Sequence, residues 1–127
     1  MNTFEQFENG RLELPWKRVD FAQIAWNQHP TFKGVALKHI VTADETNGQF
    51  SYHLVRIEPN CEIGEHIHAT QLETHEVVCG DGVCINNGQS IDYRQGTISI
   101  IPATIKHKVL AGEKGLYLFA KFMPALC

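Results

Sequence analysis

Gly64-Glu65-His66-Ile67-His68-Ala69-Thr70-Gln71-Leu72-Glu73-Thr74-His75-Glu76-Val77-Val78-Cys79-Gly80 is the stretch on which the reading of this chain turns. His66 and His68 are two residues apart, so on an extended chain both imidazoles leave the same face. Glu73 adds a carboxylate after a short loop. A second stretch, from Gly96 through Pro102 to His107, can bring a third imidazole from a distant strand. Three neutral nitrogens and one anionic oxygen suit a divalent transition metal. The expected site is therefore one ion per chain (zinc, iron, nickel or manganese) held by His66, His68, Glu73 and His107.

Outward from this stretch the pattern reads as β almost throughout. Residues 50–57 form an aromatic and β-branched run, and Glu73 to Cys79 reads as another strand. Residues 82–85 and 90–93 flank Asn86-Asn87-Gly88, where Asn-Gly signals a hairpin. Strands are also expected over 97–101, 106–111 and 116–122. Only residues 21–28 are expected to carry a helical turn, and Pro30 limits it. Many short strands in one small chain point to an all-β sandwich or barrel.

Alternation then sorts the faces. With Glu73 inward, His75 and Val77 point inward too, while Thr74, Glu76 and Val78 point away. Ile105, His107 and Val109 share a face. His75 thus stands beside the carboxylate as an outer partner of the metal site, a substrate acid/base, or a satisfied barrel histidine. Gln71 reads as a solvated loop amide or a ligand-orienting group. His29-Pro30 with Phe32 reads as a surface turn in preference to a cover for the site. A polar cluster inside an apolar barrel is costly to bury without an ion or hydrogen bonds.

Composition bounds the rest. The 127 residues are 43% hydrophobic, enough for one core and too apolar for wholesale disorder. The formal charge of −3 gives no footprint for nucleic acid, and no apolar run reaches the roughly 18 residues a membrane span needs. The N-terminus lacks a basic start followed by an apolar run, so a cytoplasmic address is expected. Cys61, Cys79, Cys84 and Cys127 have no C-x-x-C spacing and read as reduced, partly buried thiols. Cys79 is set apart only by its closeness to the metal strand.

Residues 64–80 and 96–107 resemble the two signature motifs of the cupin superfamily. The first joins His-x-His, four residues, Glu, six residues and Gly, here His66, His68, Glu73 and Gly80. The second is Gly96, Pro102 and His107. Three positions depart from the pattern. Asn60 and Thr104 stand where the family has glycine, and Ala111 where it has asparagine. Asn tolerates positive φ and Thr does so poorly, so Thr104 implies a different turn before His107. The resemblance implies a jelly-roll β-barrel (a double-stranded β-helix) over 36–127, with residues 1–35 as an extension packed on the barrel or on a dimer partner. It also implies a homodimer. Large apolar side chains in the extension, among them Phe4, Phe7, Trp16, Phe21, Trp26 and Phe32, agree with a covered face.

The fold does not select one reaction. One function class is a metal-dependent enzyme on a small polar molecule, of dioxygenase, isomerase or lyase type, with the metal as Lewis acid or oxygen-binding centre. The alternative is a non-enzymatic cupin that binds a metal or small ligand for sensing or storage.

Overall fold

The computed structural model describes residues 1–127. In chain order the elements are α1 (Thr3–Glu8), β1 (Arg11–Leu14), β2 (Lys17–Asp20), a 3-10 turn (Phe21–Gln23), β3 (Asn27–Gln28), β4 (Val35–Val41), α2 (Ala43–Thr46), β5 (Ser51–Ile57), β6 (Glu62–His66), β7 (Leu72–Asn86), β8 (Gln89–Arg94), β9 (Ile98–Ile101) and β10 (His107–Met123). The chain is mostly β and its paired strands are antiparallel. No helix is long and apolar enough to cross a membrane.

β7 and β10 organise the molecule. They pair with each other along nearly their whole length. The first half of β10 also pairs with β6 and its second half with β5. The first half of β7 also pairs with β9 and its second half with β8. Two long strands shared in this way roll the sheet around an interior. The runs expected at 73–79 and 82–85 are thus one strand, as are those at 106–111 and 116–122. The breaks expected at 80–81 and 112–115 are one irregularity of pairing, between Ala111 and Leu116 of β10, and a second, unexpected one lies between Tyr117 and Leu118. The hairpin at Asn87-Gly88 forms as expected. Both residues have positive φ, 52° and 78°, as the favoured two-residue turn requires.

The helical expectation needs correction. Residues 21–28 hold only the single turn Phe21–Gln23, while helices occur at Thr3–Glu8 and Ala43–Thr46. Both are started by capping boxes. The Asn2 side chain accepts the Glu5 N–H at 2.9 Å, and Glu5 returns a carboxylate oxygen to the Asn2 N–H at 3.1 Å. Thr42 and Glu45 do the same for the second helix. β4 and β6 also lie outside the expected strand list.

Apolar residues divide between two clusters. Inside the roll lie Val55, Val77, Val109, Leu116, Leu118 and Phe122, among others. On the outer sheet face Ile40, Leu54, Cys79 and Tyr117 are covered by Phe4, Phe7, Leu12, Ile24 and Trp26. The Phe4 ring meets Tyr117 edge-on at 4.7 Å, the Tyr117 hydroxyl bonds Glu8, and Arg56 stacks over Trp26 at 4.2 Å. Residue 78 has no partner opposite it on β10, and this extra residue carries Cys79 to the outer cluster, away from the metal-ligand face. All four cysteines are free; Cys79 and Cys84 are buried, whereas Cys127 is exposed.

Candidate metal centre

The register of the long strands assembles the site. His107, the first residue of β10, stands opposite His66, the last residue of β6. His68 lies two residues past that strand end, and Glu73 lies near the start of β7, opposite both Phe122 and Ile101. One donor atom from each of His66, His68, Glu73 and His107 lies within 4.8 Å of the others. Alternation on β7 is as expected, with Glu73, His75 and Val77 buried and Thr74, Glu76 and Val78 less so.

Neighbouring groups orient each donor. The His66 Nδ1–H donates to the Gly64 carbonyl at 2.8 Å, and the His107 Nδ1–H to the Ile105 carbonyl at 3.0 Å. Both rings therefore turn a free Nε2 toward the cluster. Glu73 splits its two oxygens. Oε2 accepts from His75 Nε2 at 2.6 Å. Oε1 lies 3.1 Å from His107 Nε2 and 3.5 Å from His68 Nε2. With Nε2 of His107 unprotonated, it and Glu73 Oε1 face each other at 3.1 Å with no hydrogen bond between them, and both are fully buried without a partner. Buried orphans of this kind are rare and costly, and a cation at the point on which they converge satisfies both. The donor set thus fits a divalent transition metal.

The electrostatics agree. Burial would raise the Glu73 pKa, but His75 and His107 outweigh it and hold the carboxyl well below its usual range. Burial lowers His66 and His68, keeping them neutral and ready to donate. Burial also pulls His107 down, but pairing with Glu73 and the Ile105 carbonyl raise it overall.

His75 is almost wholly buried and engaged at both nitrogens, since its Nδ1 lies 2.8 Å from the Tyr93 hydroxyl. Tyr93 was not visible as part of the site. It comes from β8, and only its inward parity there could have drawn attention to it. Gln71 donates to the Ala125 carbonyl at 3.2 Å, tying its loop to the chain end rather than reaching the donor cluster. The turn before His107 is not altered as expected: Thr104 takes the left-handed conformation itself, φ 72°, and its N–H donates to the His68 carbonyl at 2.8 Å.

A cavity of about 170 Å³ opens beside His66, His68 and Glu73. Its walls are mainly apolar, including Leu37, Val55, Leu118 and Phe122, and no Lys or Arg lines it. His29 lines it as well, so the reading of residues 29–32 as a mere surface turn is corrected. The His29 Nδ1 accepts the N–H groups of Thr31 and Phe32 at 3.1 and 3.2 Å, its ring stacks on Phe32 at 4.6 Å, and Phe32 reaches the His66 ring at 6.2 Å. A larger, shallow groove of about 610 Å³ runs over Asp81, Asp92, Arg94 and Lys108, on the far side of the sheet from the donors.

A family model described as the cupin domain matches residues 53–119. No curated protein matches the chain significantly. Among solved structures, a protein described as a predicted oxalate decarboxylase from Thermotoga maritima is similar at 17% identity and TM-score 0.75, over 81% of this chain and 95% of that one. KdgF from a Halomonas species is similar at 16% identity and TM-score 0.72, over 81% and 90%. The polyketide cyclase RemF of Streptomyces resistomycificus is similar at 18% identity and TM-score 0.73, over 85% and 78%. At such identities the likeness is one of fold.

Proposed function

The chain belongs to the cupin family, whose domain takes in more than half of it, and from that premise we propose a metal-dependent enzyme acting on a small molecule. The observation that carries this reading is the pair of buried, unpartnered atoms, Glu73 Oε1 and His107 Nε2, beside His66 and His68. One divalent transition ion (zinc, iron, nickel or manganese) would be held by these four residues, supplying Lewis acidity or, as iron, an oxygen-binding centre. His75 acts as a positioning residue: with one nitrogen on Glu73 and the other on Tyr93, it holds the carboxylate in place and is not free to exchange protons with a substrate.

The cavity narrows the substrate. A divalent ion with one carboxylate and three neutral imidazoles retains a single positive charge, and no Lys or Arg in the lining adds another. The site therefore suits a molecule with one neutral or singly anionic oxygen donor and an apolar body, less polar than the motif alone suggested. His29, which also lines the cavity, is a polar group available to orient it.

The engagement of both His75 nitrogens equally favours a second reading, a cupin that binds a metal and small ligand without turnover. Metal analysis of protein from its native source, then a ligand screen with that metal present, separates the two: turnover supports the enzyme, saturable binding without turnover the binding protein. A His68→Ala/His107→Ala variant is expected to lose this ion and its thermal stabilisation. Equal metal content and equal melting temperature in variant and wild type would overturn the site. A homodimer also belongs to this reading, its contact formed by the outward residues Ile98 and Ile100 of β9, which are 70% and 60% exposed.

A further inference from the structure

A second cluster of donor side chains lies beside the first, and its buried member, His53, packs on the same Phe122 ring as His68. His39 on β4 stands directly opposite His53 on β5. Their Nδ1 atoms are 2.8 Å apart. Donor atoms of His39, His53 and Cys127 all lie within 4.8 Å of one another. His53 is completely buried, His39 is half-buried and Cys127 is exposed, so the cluster runs from the interior to the surface.

We propose that His39, His53 and Cys127 form a second metal site, selective for a thiophilic ion such as zinc(II), with its fourth position open to water.

Three features build the site. First, the outer nitrogen of the buried ring is anchored: His53 Nε2 lies 2.8 Å from Ser51 Oγ. This is the outer hydrogen bond that a metal-bound imidazole normally makes, and it leaves Nδ1 as the donor. Second, the segment carrying the thiol is tied down residue by residue. Ala125 N–H donates to the Gly48 carbonyl at 3.1 Å, Leu126 N–H to the same Ser51 Oγ at 2.8 Å, and the Cys127 carbonyl accepts the Ala43 N–H at 2.7 Å. Ser51 thus positions the buried histidine and the thiol-bearing segment together. Third, the two rings meet edge-on, with centroids 4.9 Å apart, so that both Nδ1 atoms sit in one narrow gap. One proton shared between the two Nδ1 atoms is all that a cation must displace from them, along with the thiol proton of Cys127. Two imidazoles and a thiolate suit zinc or copper(I) better than the imidazole–carboxylate set of the first site does.

The two sites are distinct but adjacent. The Phe122 ring lies between them, 5.6 Å from His53 and 5.0 Å from His68. Leu126, next to the thiol, lines the cavity of the first site.

Cobalt(II) titration of the full chain under reducing conditions tests the site, because only a thiolate ligand produces a sulfur-to-cobalt charge-transfer band in the near ultraviolet. The band is expected in the wild type and in His107→Gln, and is expected to vanish, with the loss of about one equivalent of bound cobalt, in both Cys127→Ser and His39→Gln. Cys127 is exposed and His39 half-buried, and far-ultraviolet circular dichroism of each variant checks that the barrel is retained. Absence of the band in the wild type, or its persistence in either variant, overturns the second site. Loss of binding in His107→Gln without loss of the band concerns the first site alone.

Discussion

At the scale of single residues, the protonation of the ligands decides how the first site responds to pH. A metal binds only the neutral imidazole, so each ligand that is protonated in the free protein must release its proton. Burial keeps His66 and His68 below the ordinary histidine value, so they are already neutral at pH 7. His107 is the exception, raised by Glu73 despite its burial. His107 is therefore expected to supply most of the protons released on binding, and affinity is expected to fall as pH drops from 7 toward 5. The fall steepens only where His66 and His68 begin to protonate. Calorimetry of a Cys127→Ser variant in buffers of different ionisation enthalpy measures the count. A flat affinity over that window would mean that the histidines are not the ligands.

At the scale of elements, two residues with positive φ carry opposite expectations. Gly80 closes the first motif at the point where β7 passes under the irregular stretch of β10. Its φ is 88°, and an added Cβ would lie 2.1 Å from the Gly115 carbonyl oxygen. Backbone faces backbone there, so nothing flexible can yield. Gly80→Ala is expected to destabilise the protein by at least about 2–3 kcal/mol. Thr104 holds a left-handed conformation that costs a β-branched residue about 1–2 kcal/mol. Thr104→Gly relieves that strain, offset in part by the entropy glycine brings to the unfolded chain. A rise in melting temperature of about 2–4 °C is expected. Parallel thermal and denaturant melts check the pair; an unchanged Gly80→Ala protein, or a destabilised Thr104→Gly protein, contradicts the respective geometry.

At the scale of the whole molecule, the aromatic side chains of the first 26 residues are largely committed within the chain. Phe4, Phe7 and Trp26 cover the outer face of the same sheet that carries Tyr117 and Phe119. Removing residues 1–26 would bare that face, so the shortened chain is expected to aggregate rather than remain a defined species. The homodimer reading must then rest on the other exposed apolar surface. Light scattering of the full chain at tens of micromolar is expected to give a dimer, and an Ile98→Lys/Ile100→Lys variant a monomer. A monomeric full chain ends the dimer reading; a dimeric variant moves the contact away from β9.

The spacing of His66, His68, Glu73 and His107 was readable from the chain alone, and so was the barrel around it. Strand alternation is local, with a period of two, and Asn87-Gly88 marks its turn whatever surrounds it. His75 could be placed beside Glu73 by the same parity. Its partner Tyr93 could not, because a hydrogen bond between β7 and β8 side chains depends on cross-strand register. The two capping boxes, Asn2–Glu5 and Thr42–Glu45, start helices that the sequence reading did not anticipate. What only the tertiary structure decided is which residues far apart in sequence meet: His29 on the cavity wall, His39 and His53 beside Cys127, and Phe4 on Tyr117. Each of these depends on how two long strands roll one sheet around a core. That packing is a property of the assembled chain, and no local periodicity encodes it.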